Sequence, residues 1–161
     1  MTKILDRTDQ WARLSSFRWL MGLYAENHVK LEQLFAPAQR APGTYFSQGS
    51  DGLIVRADVL EQHRFTTELR LTYTVEDPDT GTLDPSAFIR AYRDAHQAEA
   101  THCRAGRNWQ DAIGMFPPPE KMIDHRLRMN IFLGKWLDYL ASQGHAADSF
   151  DASPLHEASV A

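Results

Sequence analysis

Asp94, His96, Glu99, His102 and Cys103 fall within ten residues of the stretch SAFIRAYRDAHQAEATHCRA, residues 86–105. Carboxylate, imidazole and thiol are the groups that bind metals, move protons and attack carbonyl carbons. Whether five of them make a site depends on the element that carries them. On a helix, Phe88, Tyr92, Ala95, Glu99 and Cys103 share a face, and His96, Glu99 and Cys103 come within about 80° of one another, a metal-ligand candidate. On a pair of strands, His96 and His102 point to one side and Glu99 and Cys103 to the other. Residues six apart on one strand then lie ~20 Å apart, and the cluster is dispersed. Local signals conflict, because DPSAF reads as a helix start with Asp84 as N-cap and Pro85 at the first helical position.

Other chemical signatures are missing. The sequence has no GxSxG, no phosphate-binding Walker loop, no GxGxxG, no HExxH and no CxxC pair. A zinc site would need a third and a fourth ligand that the spacing does not arrange, so no metal and no cofactor is expected. Cys103 with a nearby His is a conceivable nucleophile, but a lone cysteine more commonly packs as a small hydrophobe, and no catalytic residue is assigned.

The elements that must position these residues are bounded by bulk properties. A chain of 161 residues with 43% hydrophobic content is one domain with a sizeable core. One cysteine cannot make an intramolecular disulfide, which fits a reducing compartment, and a cytoplasmic protein is expected. The opening MTKILDRTDQW lacks the apolar run of a signal peptide, and no stretch nears the ~20 apolar residues of a membrane span. Net charge is −4 with basic residues scattered, so neither nucleic acid nor membrane is an expected partner. From His145 onward three acidic residues, no Lys or Arg and few large apolar side chains read as a mobile acidic tail over 145–161, leaving 1–144 as the folded domain.

From about Thr8 to Phe35, Leu14, Phe17, Met21, Tyr24, Leu31 and Phe35 recur at helical spacing. Trp11, Trp19, Leu23 and Val29 fall on the other side, so this helix either buries two faces, the commoner arrangement, or meets a partner. Between Tyr45 and Val75 the period becomes two. Leu53, Val55, Ala57 and Val59 line one strand, and Phe65, Thr67, Leu69, Leu71, Tyr73 and Val75 a second whose other face carries Thr66, Glu68, Arg70, Thr72 and Thr74. Prolines 117–119 lead into a second helix from about Glu120 to Ser142, with Ile123, Leu127, Ile131, Leu137 and Leu140 inward and Gly144 as its C-cap.

Four stretches in order, LYAENHVKLEQL, EQHRFTTEL, AYRDAHQAEA and NIFLGKWLDYLASQG, resemble an uncharacterised bacterial family of the YqiB type, a domain of unknown function, over roughly residues 20–144. The family's recurring polar positions appear as Asn27, Glu61, Arg64, Thr66, Thr67, Tyr92, Asp94, Glu99, Asp124 and Asn130. The chain departs from the pattern at Arg93, where relatives tend to have His, and at His125 and Arg126, where they tend to have Glu-Lys. The resemblance also implies β-branched residues around the Tyr92 and Cys103 positions, which favours strands over 86–103 with a bend near Asp94 and Ala95. The expected fold is α+β, an antiparallel sheet of about four or five strands with N- and C-terminal helices packed on one face.

Two functions from different classes remain. One is a non-catalytic interaction or regulatory module whose protein partner, or second copy in a homo-oligomer, meets the first helix at Trp11, Trp19 and Leu23. The other is a binding protein or enzyme for a small anionic ligand such as a nucleotide, held by Arg64, Tyr92, Glu99 and Asn130. Ion pairs among Glu61, Arg64, Asp94 and Glu99 are expected to tie strand ends together.

Overall fold

The computed structural model of the chain describes residues 2–74, 85–104 and 122–152. Along it run α1 (Thr2–Leu34), β1 (Gly43–Gln48), β2 (Ile54–Gln62), β3 (Thr66–Tyr73), β4 (Ser86–Tyr92), β5 (Gln97–Arg104) and α2 (Met122–Ser142). Short 3-10 turns stand at Pro37–Gln39 and Ala147–Ser149. The expected turn at 77–81, the cap at Asp84 and the proline run 117–119 lie outside the described residues.

The strands form one antiparallel sheet in the order β1-β2-β3-β4-β5. Their period-two pattern decides which face is dry. Val55, Ala57 and Val59, Leu69 and Leu71, Ala87, Ile89 and Ala91, then Ala98 and Ala100 are buried and join one core with Leu31, Leu34, Phe35, Leu133, Trp136, Leu137 and Leu140 of the helical layer. This is the two-layer α+β arrangement expected. DPSAF does not start a helix, because Ala87, Ile89 and Ala91 bury one side of a strand in this layer, which outweighs a single cap. The opposite sheet face is polar and self-paired. Asp58 accepts from Arg56 at 3.0 Å, Arg70 at 3.1 Å and Thr44 at 2.7 Å, so its buried carboxylate is fully met.

α1 is longer than the spacing predicts, and it buries Leu20, Tyr24, Asn27, Leu31 and Leu34 along one side. Leu14 and Phe17, expected inward, are 49% and 50% exposed, and Trp11 and Trp19 are 72% and 57% exposed. The expectation that both sides of the helix are internal is therefore corrected. Among the described residues, the first turns of α2 meet α1 at Leu20 and Tyr24, where Leu127 and Ile123 complete a small cluster. Of residues 10–19 of α1, none is buried among the described residues.

α1 and α2 close on each other at a glycine. A Cβ at Gly134 would lie 2.9 Å from Asn27 Oδ1, so the missing side chain leaves room for that asparagine, which donates Nδ2–H to the Asn130 carbonyl at 3.1 Å. α2 ends as expected, with Gly144 at φ +90 as the left-handed cap.

Residues 145–152 depart from the composition-based expectation of a tail, and 153–161 lie outside the described residues. Phe150 is buried against the Phe35 ring at 5.0 Å, Asp151 exchanges both backbone hydrogen bonds with Phe46 of β1 at 2.9 Å, and Arg40 donates to the carbonyls of Ala147 and Phe150. A short segment with one large aromatic side chain in the core and its backbone paired to a strand edge repays its ordering entropy.

Candidate functional site

The crowded stretch that could do chemistry is a hairpin, β4 and β5 joined by a turn over Arg93–His96. His96 takes φ +53 there, a conformation uncommon for any residue but glycine, and its ring stands edge-on to His28 of α1 at 5.3 Å. Simple alternation would put Glu99 and Cys103 on one face. The ladder instead pairs Ile89 with Ala100 and Phe88 with His102, leaving Thr101 as an extra residue. That bulge turns Cys103 into the core and keeps Glu99 on the polar face. Burial pushes the Cys103 thiol up to about 12, which keeps it protonated at neutral pH, and its Sγ–H donates to the Met129 carbonyl at 3.8 Å.

Around Glu99 a row of paired groups runs from the polar sheet face round the β5 edge to the helices. Arg90 bonds Glu68 at 3.0 Å, Tyr92 Oη donates to Glu99 at 2.7 Å, and Arg126 of α2 stands 3.8 Å from the other Glu99 oxygen. Burial raises the Tyr92 hydroxyl above its ordinary range and the Glu99 carboxylate adds to this. Burial likewise raises Tyr24 of α1, with the Arg126 guanidinium opposing and Glu99 reinforcing. Arg90 is held charged by Tyr92 and then Glu68. Both phenols and this guanidinium keep their protons at neutral pH. They can orient and neutralise a ligand but do not release a proton to it.

The four residues expected to bind an anion are distributed as follows. Tyr92 and Glu99 are joined directly. Asn130 is fully buried below them, where its Oδ1 accepts the Ala100 N–H of β5 at 2.8 Å and its Nδ2 donates to the Arg126 carbonyl at 2.8 Å. Arg64 is exposed in the β2–β3 turn, with its guanidinium 5.1 Å from the centre of the Phe65 ring. Glu61 of the expected ion pairs meets His63 at 2.9 Å instead of Arg64. The residues that sequence reasoning missed are Arg126 and Tyr24. Arg126 stands four before Asn130, one turn up the same helix face, and that spacing is the signal that could have found it.

A second polar group closes the other end of the sheet. Ser47 Oγ lies 2.7 Å from His145 Nδ1 and 2.7 Å from Ser149 Oγ. A serine on an imidazole is the geometry of an activated nucleophile. Here both residues are buried and the serine is shared with a second hydroxyl, so the contact anchors the C-terminal segment. Burial pushes the His145 imidazole below its ordinary range, against the pull of Asp51, and it is held neutral.

A family model described as "Protein of unknown function (DUF1249)" matches residues 30–146. No curated protein and no solved structure matches the chain. No helix among the described residues is long and apolar enough to cross a membrane.

Proposed function

The chain belongs to the DUF1249 family of proteins of unknown function, and from that membership, which hands over no reaction, we propose that it works as a non-catalytic interaction module docking through α1. One observation carries the reading: Trp11, Leu14, Phe17 and Trp19 of α1 are 49% to 72% exposed. Large aromatic side chains left in water cost free energy, which a partner surface recovers. Support also comes from Arg90 and Tyr92 of the β4–β5 hairpin, which are paired with Glu68 and Glu99 and hold their protons. We place the protein in the cytoplasm, among YqiB-like bacterial members of the family, on its single buried cysteine and the four sequence stretches that resemble them.

The test is sedimentation velocity of the tagged full chain in cell extract. The chain is expected to sediment faster than an 18.3 kDa monomer. A Trp11→Ser, Trp19→Ser double variant is expected to return it to the monomer rate, with an unchanged melting temperature because neither ring is in the core. A wild-type chain at the monomer rate, or a complex indifferent to both substitutions, overturns the reading.

A second reading rests on the strained turn at His96 beside the Glu99 row. Residues in sparsely populated backbone conformations concentrate at ligand clamps. In this reading Tyr92, Glu99, Arg126 and, from the hairpin tip, Arg64 orient a small anionic ligand such as a nucleotide, with Asn130 holding the floor. A thermal-shift screen with nucleoside mono-, di- and triphosphates checks it: a ligand at ~100 times its dissociation constant adds ~2.7 kcal/mol. The shift is expected to vanish in Arg126→Gln, and a flat screen removes this reading.

A further inference from the structure

Resting on the interaction-module reading, we propose that the partner at α1 is a second copy of this chain, paired antiparallel about a two-fold axis that passes, at the level of Leu20, on the opposite, exposed side of the helix. Trp11, Ser15, Arg18, Gly22, Ala25 and Val29 follow a four-three-four-three-four spacing, and all six are exposed. That spacing is the seam of a two-helix contact. It lies across the helix from the buried side, since Leu31 is nine residues on from Gly22, a half-turn out of phase at about 100° per residue.

Gly22 is the observation with no cause among the described residues. Glycine is a poor helix former, and this one stands in the middle of a helix of 33 residues. At Gly134 the same cost is explained by Asn27, whereas a Cβ at Gly22 would meet nothing within 4 Å. A close approach from outside explains it.

The spacing also reads the same in both directions, which an isologous contact requires, since each copy presents one patch to itself. Reversed about Leu20, Trp11 falls on Val29 of the second copy, Ser15 on its Ala25, and Arg18 on its Gly22. The large groups meet small or medium ones. An Arg18 side chain crossing the gap at Gly22 arrives one turn from Glu26 of the second copy, and the two-fold axis supplies that opposite-charge pair twice. Trp19 flanks the seam. With ~150–250 Å² from each tryptophan and the remaining seam residues, each copy covers on the order of 700 Å², close to the ~800 Å² per partner of a stable interface.

Sedimentation equilibrium of the purified full chain from 1 to about 200 μM tests this, with the concentration range chosen to span typical dimer constants. The expected mass is twice 18.3 kDa at the upper end. Gly22→Leu, which fits the open position within one copy, is expected to weaken the dimer at least tenfold while leaving the melting temperature of the monomer unchanged or higher. Arg18→Glu is expected to weaken it tenfold, and Arg18→Glu with Glu26→Arg to restore it. In a Ser15→Cys, Ala25→Cys variant, oxidation is expected to crosslink position 15 of one copy to position 25 of the other. Crosslinks only between like positions overturn the antiparallel pairing. A purified chain that stays monomeric while its complex in extract still depends on Trp11 and Trp19 overturns the second copy as partner and leaves the module reading standing. A monomer in both settings removes both, and a dimer insensitive to Gly22→Leu and Arg18→Glu places the contact elsewhere and overturns the proposal.

Discussion

Asn130→Ala is expected to lower the unfolding free energy by about 3 kcal/mol, and the melting temperature by roughly 6–12 °C for a domain of this size. The amide oxygen of Asn130 is the acceptor for the Ala100 N–H on the far side of β5 from β4. Alanine leaves that N–H buried with no acceptor, which alone costs about 1–3 kcal/mol. It also removes the packing of a fully buried side chain at the joint of α1, α2 and β5. Asn27→Ala is expected to cost less, because the Asn130 carbonyl that Asn27 contacts sits inside α2 and keeps its helical bond. Urea unfolding followed by circular dichroism measures both. An Asn130→Ala chain within 2 °C of wild type would show that water or a shifted backbone satisfies Ala100.

A chain ending at Gly144 is expected to lose about 4 kcal/mol relative to one ending at Ala152 and to scatter light on warming. The first cut removes Phe150 from its place against Phe35, worth ~2–3 kcal/mol of burial. It also removes the imidazole that meets Ser47, leaving a buried hydroxyl without that partner. The consequence for association is larger than the energy. Asp151 occupies the Phe46 N–H and carbonyl on the outer side of β1, and without it a sheet edge of six residues lies open to another chain. Differential scanning calorimetry with light scattering reads both effects. A Gly144-terminated chain that melts reversibly at the temperature of the Ala152-terminated one would show that the segment adds nothing.

How far these features were legible differs by the kind of signal each leaves. Where burial repeats in step with local geometry, as at Val55, Ala57 and Val59 or Leu69 and Leu71, the period alone identified strand and inner face. Gly144 was legible because a helix end asks for a left-handed residue. The bulge at Thr101 was not, since nothing in ATHCR marks one extra residue, yet it decides that Cys103 is inside and Glu99 outside. Residues 145–152 misled because an average over 17 positions hides one phenylalanine whose partners, Phe35 and Arg40, lie more than a hundred residues earlier. Of the candidate site, Tyr92 and Glu99 became neighbours once the hairpin was accepted. Arg126 arrives from a helix on another layer, and its four-residue spacing from Asn130 was the one local trace of it. The expectation that α1 buries two faces failed at Trp11 and Trp19 because helix periodicity reports apolar sides and not what packs on them.

The order of the sheet sets the order in which the chain can be finished. Each strand pairs with the one made just before it, so the pairings are local in sequence and hairpins close on a timescale of microseconds. α1 is different: Asn27 finds Asn130 only after 103 further residues have been made, which at about 5–20 residues per second takes roughly 5–20 s. During that interval the nascent chain carries a helix whose Leu20 and Tyr24 still lack Leu127 and a sheet whose Ala100 N–H still lacks its acceptor. The last helix to leave the ribosome thus closes the first. A translational pause before residue 122 holds the chain in its most adhesive form, and faster synthesis of that stretch shortens the exposure.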